Sequence, residues 1–342
     1  MNMLRRRFFQ ILAGAVAAIL LLVLSGDVRA QGNSDEAFAR VKEVQERHTE
    51  KLMAKAGVAG TAIGAGQGVQ PVVLVLVEHG GVSDLPGDLE GVPVRPLVTG
   101  KIYALPKGDT PSAEPALTPT QRWPRPVPIG VSTGNLTVTA GTIACRVTDG
   151  TNVYALSNNH VYASQNLAAI GSAVIQPGTY DGGTSPADNI GTLFAFEPIV
   201  LSTSANNVID AAIARSTTDL LGKATPPDGY GLPKSTTATV KSGAKVMKYG
   251  RTTGQTSGII QGTNTIVNVT YDAGVARFVG QLLIGGGSFS AGGDSGSLIV
   301  LSGKGANERK PVGLLFAGGN GFTVANPIDA VLKRFGVRVD GE

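Results

Sequence analysis

Three short segments of this 342-residue chain hold residue types that could act together: Leu156-Ser157-Asn158-Asn159-His160-Val161, Ile209-Asp210-Ala211-Ala212-Ile213 and Gly292-Gly293-Asp294-Ser295-Gly296-Ser297. A serine hydroxyl is a weak nucleophile at neutral pH. It becomes a strong one when an imidazole takes its proton and a carboxylate orients that imidazole. The reaction also needs backbone N–H groups aimed at the developing oxyanion, and glycines beside the serine let the backbone turn so that they converge. Taken singly, each segment has a plainer reading. Gly-Asp-Ser-Gly occurs in ordinary turns, a histidine at the end of an apolar strand suits a core, and an aspartate can cap a turn or bind an arginine. Asp210, however, stands inside an apolar run, where a carboxylate is costly unless paired. Together, in the order His, Asp, Ser and separated by 50 and 85 residues, they read as the parts of an acyl-transfer site.

The elements that must position these residues read as short strands. Residues 135–146, 153–156, 190–196, 208–214, 237–241, 245–249, 265–269, 281–284, 298–301 and 312–316 are rich in Val, Ile, Thr and aromatic residues. Most are bounded by Gly, Asn, Asp or Thr clusters, as strands are. Many short strands without intervening helices argue for a sandwich or barrels and against a βαβ sheet. Chain order excludes an α/β-hydrolase, in which the serine precedes the acid and the histidine. Here all three histidines (His48, His79, His160) precede Ser295, and Ser297 stands where the second glycine of a nucleophile elbow would be. The chain ends in an expected helix, Pro327 to Phe335, with proline in its first turn and Gly336 at its C-terminal cap.

Upstream the organisation changes. Residues 1–30 read as a signal peptide: Arg5-Arg6-Arg7, an apolar stretch from Phe8 to Leu24 broken by Gln10, and a small-x-small site at Val28-Arg29-Ala30. Cleavage is expected after Ala30, which places the protein in the periplasm or outside the cell. Membrane attachment is expected only if the segment is retained. Four basic residues and one acid lie in this stretch, leaving 25 basic against 24 acidic residues in the remainder. That balance offers no basic patch for nucleic acid. Residues 31–105 read as an amphipathic helix (residues 34–56, with Phe38, Val41, Val44, His48 and Leu52 on one face) followed by a small α+β module. Residues 106–129 are proline-rich and read as a linker. Residues 130–342 then form the main domain. Cys145 is the only cysteine, so no intrachain disulfide can form.

The region from about Gly130 to the C-terminus resembles the chymotrypsin-like (trypsin-like) serine peptidases, and the disulfide-poor bacterial members in particular. Ser157-Asn158-Asn159-His160 stands where that family carries its histidine motif, Ile209-Asp210-Ala211-Ala212 matches the aspartate motif and Gly293-Asp294-Ser295-Gly296 the serine motif. Gly250-Arg251-Thr252-Thr253-Gly254 is a further microbial signature. The resemblance implies a mainly β fold of two antiparallel six-stranded β-barrels with a C-terminal helix, preceded here by the α+β module. It implies a catalytic triad of His160, Asp210 and Ser295, and an oxyanion hole from the N–H groups of Gly293 and Ser295. It also implies that Arg251 pairs with Asp294 to hold the oxyanion loop, so that no cleavage is needed to free a new N-terminus. Phe289 would floor the specificity pocket, with Phe316, Ala317 and Gly318 as its wall. No acidic residue lies near position 289, so a small or apolar side chain is expected before the scissile bond. The sequence departs from the family where Asn158-Asn159 replaces Ala-Ala before the histidine and Val161 replaces a cysteine after it.

The expected activity is endopeptidase hydrolysis of polypeptide, with neither cofactor nor metal. Two other readings use the same residues: a catalytically silent binding or scaffold protein on this fold, and an esterase employing the same triad.

Overall fold

The computed structural model describes residues 35–66, 70–104 and 117–342. The expected signal peptide and the first part of the linker lie outside the described residues. A helix over residues 35–53 (α1) buries Val41, Val44 and Leu52, three of the five positions on the expected face. It covers a group of strands: β1 (Val58–Ala65), β2 (Pro71–Val77), β3 (Asp88–Leu89) and β4 (Val92–Val98), followed by the two-residue β5 (Tyr103–Ala104). The apolar run Val72 to Val77 is buried throughout because β2 lies between β1 and β4, with α1 packed over its Val73, Val75 and Val77.

The first barrel contains β6 (Ser132–Asn135), β7 (Gly141–Thr142), β8 (Cys145–Thr148), β9 (Val153–Ser157), the single helical turn α2 (Asn159–Tyr162), β10 (Ala173–Ile175), β11 (Asn189–Phe196) and β12 (Ala212–Ser216). The order is β8-β9-β12-β11-β10-β6-β7. Residues 141–148 close it as one bent segment: the Ile143 N–H donates to the Val131 carbonyl at 3.0 Å, and the next residue, Ala144, donates to Leu156 at 2.8 Å. Counting that segment once, the ring has six strands.

The second barrel contains β13 (Lys245–Gly250), β14 (Gly254–Tyr271), β15 (Gly274–Gly285), β16 (Leu298–Leu301), β17 (Pro311–Gly319) and β18 (Phe322–Pro327). Its order, β13-β16-β17-β18-β15-β14, is closed by a β13–β14 pairing. The helix α3 (Ile328–Phe335) follows directly and is capped by Gly336 at φ +63°. It packs Ile328, Val331 and Leu332 into the first barrel's core, and β19 (Arg338–Val339) then joins β8.

Several expected strands differ in the structure. Residues 237–241 form no strand; the expected strand 208–214 begins only at Ala212, and the stretch 135–146 is divided among β6, a turn, β7 and the start of β8. Furthermore, β1 pairs antiparallel with the long strand β14, Gly60 opposite Val267 and Thr61 opposite Ile266. The α+β segment therefore extends the second barrel's sheet. With 18 residues, β14 is long enough to close its own barrel at one end and accept β1 further along.

Candidate active site

The three motif segments converge where the barrels meet. β9 and β12 are neighbours, with Ser157 opposite Ala212. The chain leaving β9 into α2 and the chain entering β12 therefore start side by side, and this register brings His160 to Asp210. The His160 ring Nδ1 lies 2.6 Å from Asp210 Oδ2, and the His160 N–H donates to Asp210 Oδ1 at 3.2 Å. Asp210 is fully buried. Its third donor is the Tyr271 hydroxyl, 2.8 Å from Oδ2, carried in from the end of β14. Burial first, and the Asp210 charge second, push the Tyr271 hydroxyl well above its ordinary pKa, so it remains a donor. The Asp210 backbone is held as well: Asn158 Nδ2 donates to its carbonyl at 2.7 Å, and its N–H donates to Asn326 Oδ1 at 3.1 Å. Asn158 and Asn159 thus have structural work where the related pattern has alanines. Asn159 ties α2 to the Glu197 carbonyl at 2.6 Å.

Ser295 sits in the turn before β16. Gly293 and Gly296 flank it with φ of +91° and +94°, a left-handed conformation that side chains resist. At Gly296 a Cβ would also come within 2.2 Å of the Thr142 carbonyl and 2.3 Å of Ser157 Oγ, so only glycine fits there. β7 clamps the turn: the Thr142 N–H donates to the Ser295 carbonyl at 2.8 Å and its hydroxyl to the Gly293 carbonyl at 2.9 Å. The N–H groups of Asp294 and Gly296 are taken by Ala291 and Leu315. Among the described residues, those of Gly293 and Ser295 have no partner, which leaves both available to an incoming oxygen. Gly141 lies between the segments: a Cβ there would be 2.5 Å from Val161, next to His160, and 3.0 Å from the Ser295 carbonyl. In this structure the Ser295 hydroxyl is directed to the Phe316 carbonyl at 3.4 Å. His160 Nε2 is buried and has no partner among the described residues.

The expected pairing of Arg251 with Asp294 is corrected. The Arg251 guanidinium forks onto Asp181, Nε to Oδ2 at 2.9 Å and Nη2 to Oδ1 at 2.5 Å, and lies over the Tyr180 ring at 5.2 Å. The ion partner of Asp294 is Lys248 on β13, Nζ to Oδ2 at 3.3 Å, with both side chains fully buried. Lys248 also reaches Thr253 Oγ1 and the Gly254 carbonyl. Asp294 further accepts from the N–H groups of Thr252, Thr253 and Ala291 and from the Thr253 hydroxyl, at 2.7–3.2 Å. Burial pulls the Lys248 ammonium below its ordinary pKa, against the opposing pull of Asp294. The physical reason for the swap is strand alternation. Lys248 on β13 faces Asp294, whereas Arg251, at the turn beyond the strand, leads across to the first barrel. Arg251 still touches the serine loop, since a Cβ on Gly293 would lie 2.9 Å from its Nη1.

The expected pocket is corrected too. Phe289 is buried in the second barrel's core; its ring occupies the space left by Gly258, whose Cβ would come within 2.8 Å of it. Phe316 is buried against Phe278, ring centroids 4.8 Å apart. Both rings are buried in cores, Phe289 1% and Phe316 0% exposed. Ala317 and Gly318 lie on the edge of β17 beside the serine loop, where β5 pairs with them. A cleft of about 560 Å³ runs past His160 and Tyr271, lined also by Tyr103, Ala104, Thr137–Ala140 and Gln165. Among the described residues no cluster of His, Cys, Asp or Glu is arranged to hold a metal ion, and no helix is long and apolar enough to cross a membrane.

The architecture is a pair of antiparallel β-barrels with the candidate residues at their junction. A family model described as the Nal1 C-terminal domain matches residues 232–324, which lie mainly in the second barrel. No curated protein gives a sequence match. Solved structures similar to the chain include protease A from Thermobifida fusca, 19% identical, covering 63% of this chain and 98% of that one with a TM-score of 0.46. They also include a chymotrypsin from Cellulomonas bogoriensis, 18% identical, covering 63% and 99% with a TM-score of 0.44. A third is an alpha-lytic protease homologue, 20% identical, covering 62% and 98% with a TM-score of 0.45.

Proposed function

We propose that the chain is a serine endopeptidase that cleaves polypeptide through an acyl-enzyme. The observation that carries this reading is the buried Asp210 carboxylate, committed to the ring and backbone of His160 and to Tyr271, beside a serine loop with two N–H groups that have no partner among the described residues. A carboxylate so placed fixes the imidazole tautomer, with the proton on Nδ1 and the lone pair on Nε2 free to accept. On substrate binding the Ser295 hydroxyl leaves the Phe316 carbonyl and gives its proton to His160 Nε2 as its oxygen attacks the peptide carbonyl. The tetrahedral oxyanion is bound by the N–H groups of Gly293 and Ser295. His160 then protonates the departing amine, the acyl-enzyme forms, and water releases the acid by the same steps in reverse roles. The Lys248–Asp294 pair, and Arg251 packed against Gly293, hold the loop without a freed N-terminus. Export to the periplasm or exterior, with cleavage after Ala30, completes the proposal.

Purified protein and its Ser295→Ala variant, each incubated with a proteome-derived peptide library and read by mass spectrometry, test the reading. New termini that appear only with the wild type support it. Identical libraries after both incubations, with Ser295 nonetheless labelled by a phosphonate, would favour the esterase. No labelling at all would favour the silent scaffold, which has its own support in the Ser295 hydroxyl turned toward Phe316.

A further inference from the structure

The edge of β17 nearest the serine loop is traceable bond by bond. The Leu315 carbonyl takes the Gly296 N–H at 2.8 Å, the Phe316 carbonyl takes the Ser295 hydroxyl at 3.4 Å, and the next two residues, Ala317 and Gly318, pair antiparallel with Ala104 and Tyr103. An extended peptide laid along this edge, running from Gly318 toward Phe316, is delivered to Ser295. Adding a strand to an open sheet edge is a general way to hold a peptide, with backbone bonds giving affinity. Here that edge already holds a strand, and it belongs to the same chain. The strand also lines the cleft that contains His160.

The occupant is anchored from both sides. The Thr270 N–H donates to the Ile102 carbonyl at 3.1 Å, and Ile102 is buried in the cluster that contains Phe316, Ala317 and Tyr271. Gly319 permits the approach, since a Cβ there would come within 2.2 Å of the Lys101 carbonyl. Upstream, the β1–β14 pairing holds the rest of the N-terminal segment on the second barrel. The occupant is therefore tethered at high effective concentration and outcompetes free peptides of similar affinity.

Resting on the endopeptidase reading, we infer that Tyr103–Ala104 is a built-in competitor for the polypeptide-binding edge, so that polypeptide is cleaved only when this strand is displaced. Because the strand pairs with β17 through its backbone, replacing both residues by proline removes the donors and the pairing. Tyr103 is 42% exposed and Ala104 packs half-buried against the rim of the core cluster, so the change touches the core only through the Ala104 methyl and adds no charge to it. Ile102→Asp, which removes the buried anchor, is the second variant.

Full-length wild type and both variants are compared for the rate of Ser295 labelling by two probes. Diisopropyl fluorophosphate needs only the nucleophile and its base. A pool of tripeptidyl phosphonates with Ala, Val, Leu or Phe next to phosphorus needs the β17 edge as well. The inference predicts similar rates with the small probe on all three proteins. It predicts peptidyl labelling at least about tenfold faster on the variants, equivalent to ~1.4 kcal/mol of strand pairing. Equal peptidyl rates on all three, with the small probe reacting normally, would overturn the inference and leave the endopeptidase reading standing. Failure of the small probe on folded protein would overturn both.

Discussion

Replacing Lys248 by methionine keeps the length of the side chain and removes its charge. Asp294 is then left without its ion partner in a site with no solvent exposure. Breaking one side of a buried ion pair typically costs ~3–5 kcal/mol, because the remaining charge is uncompensated. Four donors still reach the Asp294 carboxylate, three backbone N–H groups and the Thr253 hydroxyl, which places the loss near the lower end, about 3 kcal/mol. Asp294→Asn should cost more. The amide has only one accepting oxygen for those donors, and it strands the Lys248 ammonium with only the Thr253 hydroxyl and Gly254 carbonyl. The double variant removes both charges, so its loss should fall short of the sum of the two by ~1–3 kcal/mol, as expected for groups in direct contact. Urea unfolding with an unchanged m-value gives the three stabilities, and labelling of Ser295 by a small fluorophosphonate reports whether the loop keeps its shape. Single variants within ~1 kcal/mol of wild type, or strict additivity, would refute the assignment of Lys248 as the partner of Asp294.

Other consequences can be checked separately. Tyr271→Phe removes a buried donor from the Asp210 carboxylate, an interaction worth ~1.5–3 kcal/mol. Turnover should fall by roughly 10- to 100-fold at nearly constant KM if that energy appears in the transition state, and a parallel rise in KM would argue against a role confined to Asp210. Cys145 is fully buried and burial raises its thiol pKa, so it should resist a thiol reagent such as Ellman's in the native state and react fully after unfolding. Glu90 is held down to about 2 by hydrogen bonds from Arg47 first and His48 second. Its folded-state value lies below the ordinary 4.5, so its contribution is present above that value and is lost as pH falls toward 2. Protection of the α1 amides, taken relative to their intrinsic exchange at each pH, should therefore fall over that window, and Glu90→Gln should remove this part of the dependence.

Much of the candidate site was legible because its residues sit in short contiguous motifs whose types the proposed chemistry demands. Asp210 was also marked by a carboxylate standing in an apolar run. Lys248 carried the same kind of mark, a charge inside Val246-Met247-Lys248-Tyr249, and that signal could have found the partner of Asp294. Arg251 drew the assignment instead because it lies in a recognisable segment, yet its side chain reaches Asp181, 70 residues away in sequence, and no local pattern encodes that distance. Tyr271 carries no mark at all, since its role depends on where an 18-residue strand ends. Phe289 shows a related limit: position before the serine suggests a pocket, while the vacancy created by Gly258 draws the ring into the core. The pairings of β1 with β14 and of β5 with β17 were hidden for the same reason, because strand partners distant in sequence are set by packing and not by composition.

In the proposed function Ser295 is a nucleophile activated by His160. Folded full-length protein treated with diisopropyl fluorophosphate, digested and mapped by mass spectrometry, tests it most directly. One adduct is expected, on the peptide containing Ser295, absent from Ser295→Ala and strongly slowed in His160→Ala. No adduct on folded wild type, or an adduct that forms equally fast without His160, would contradict it.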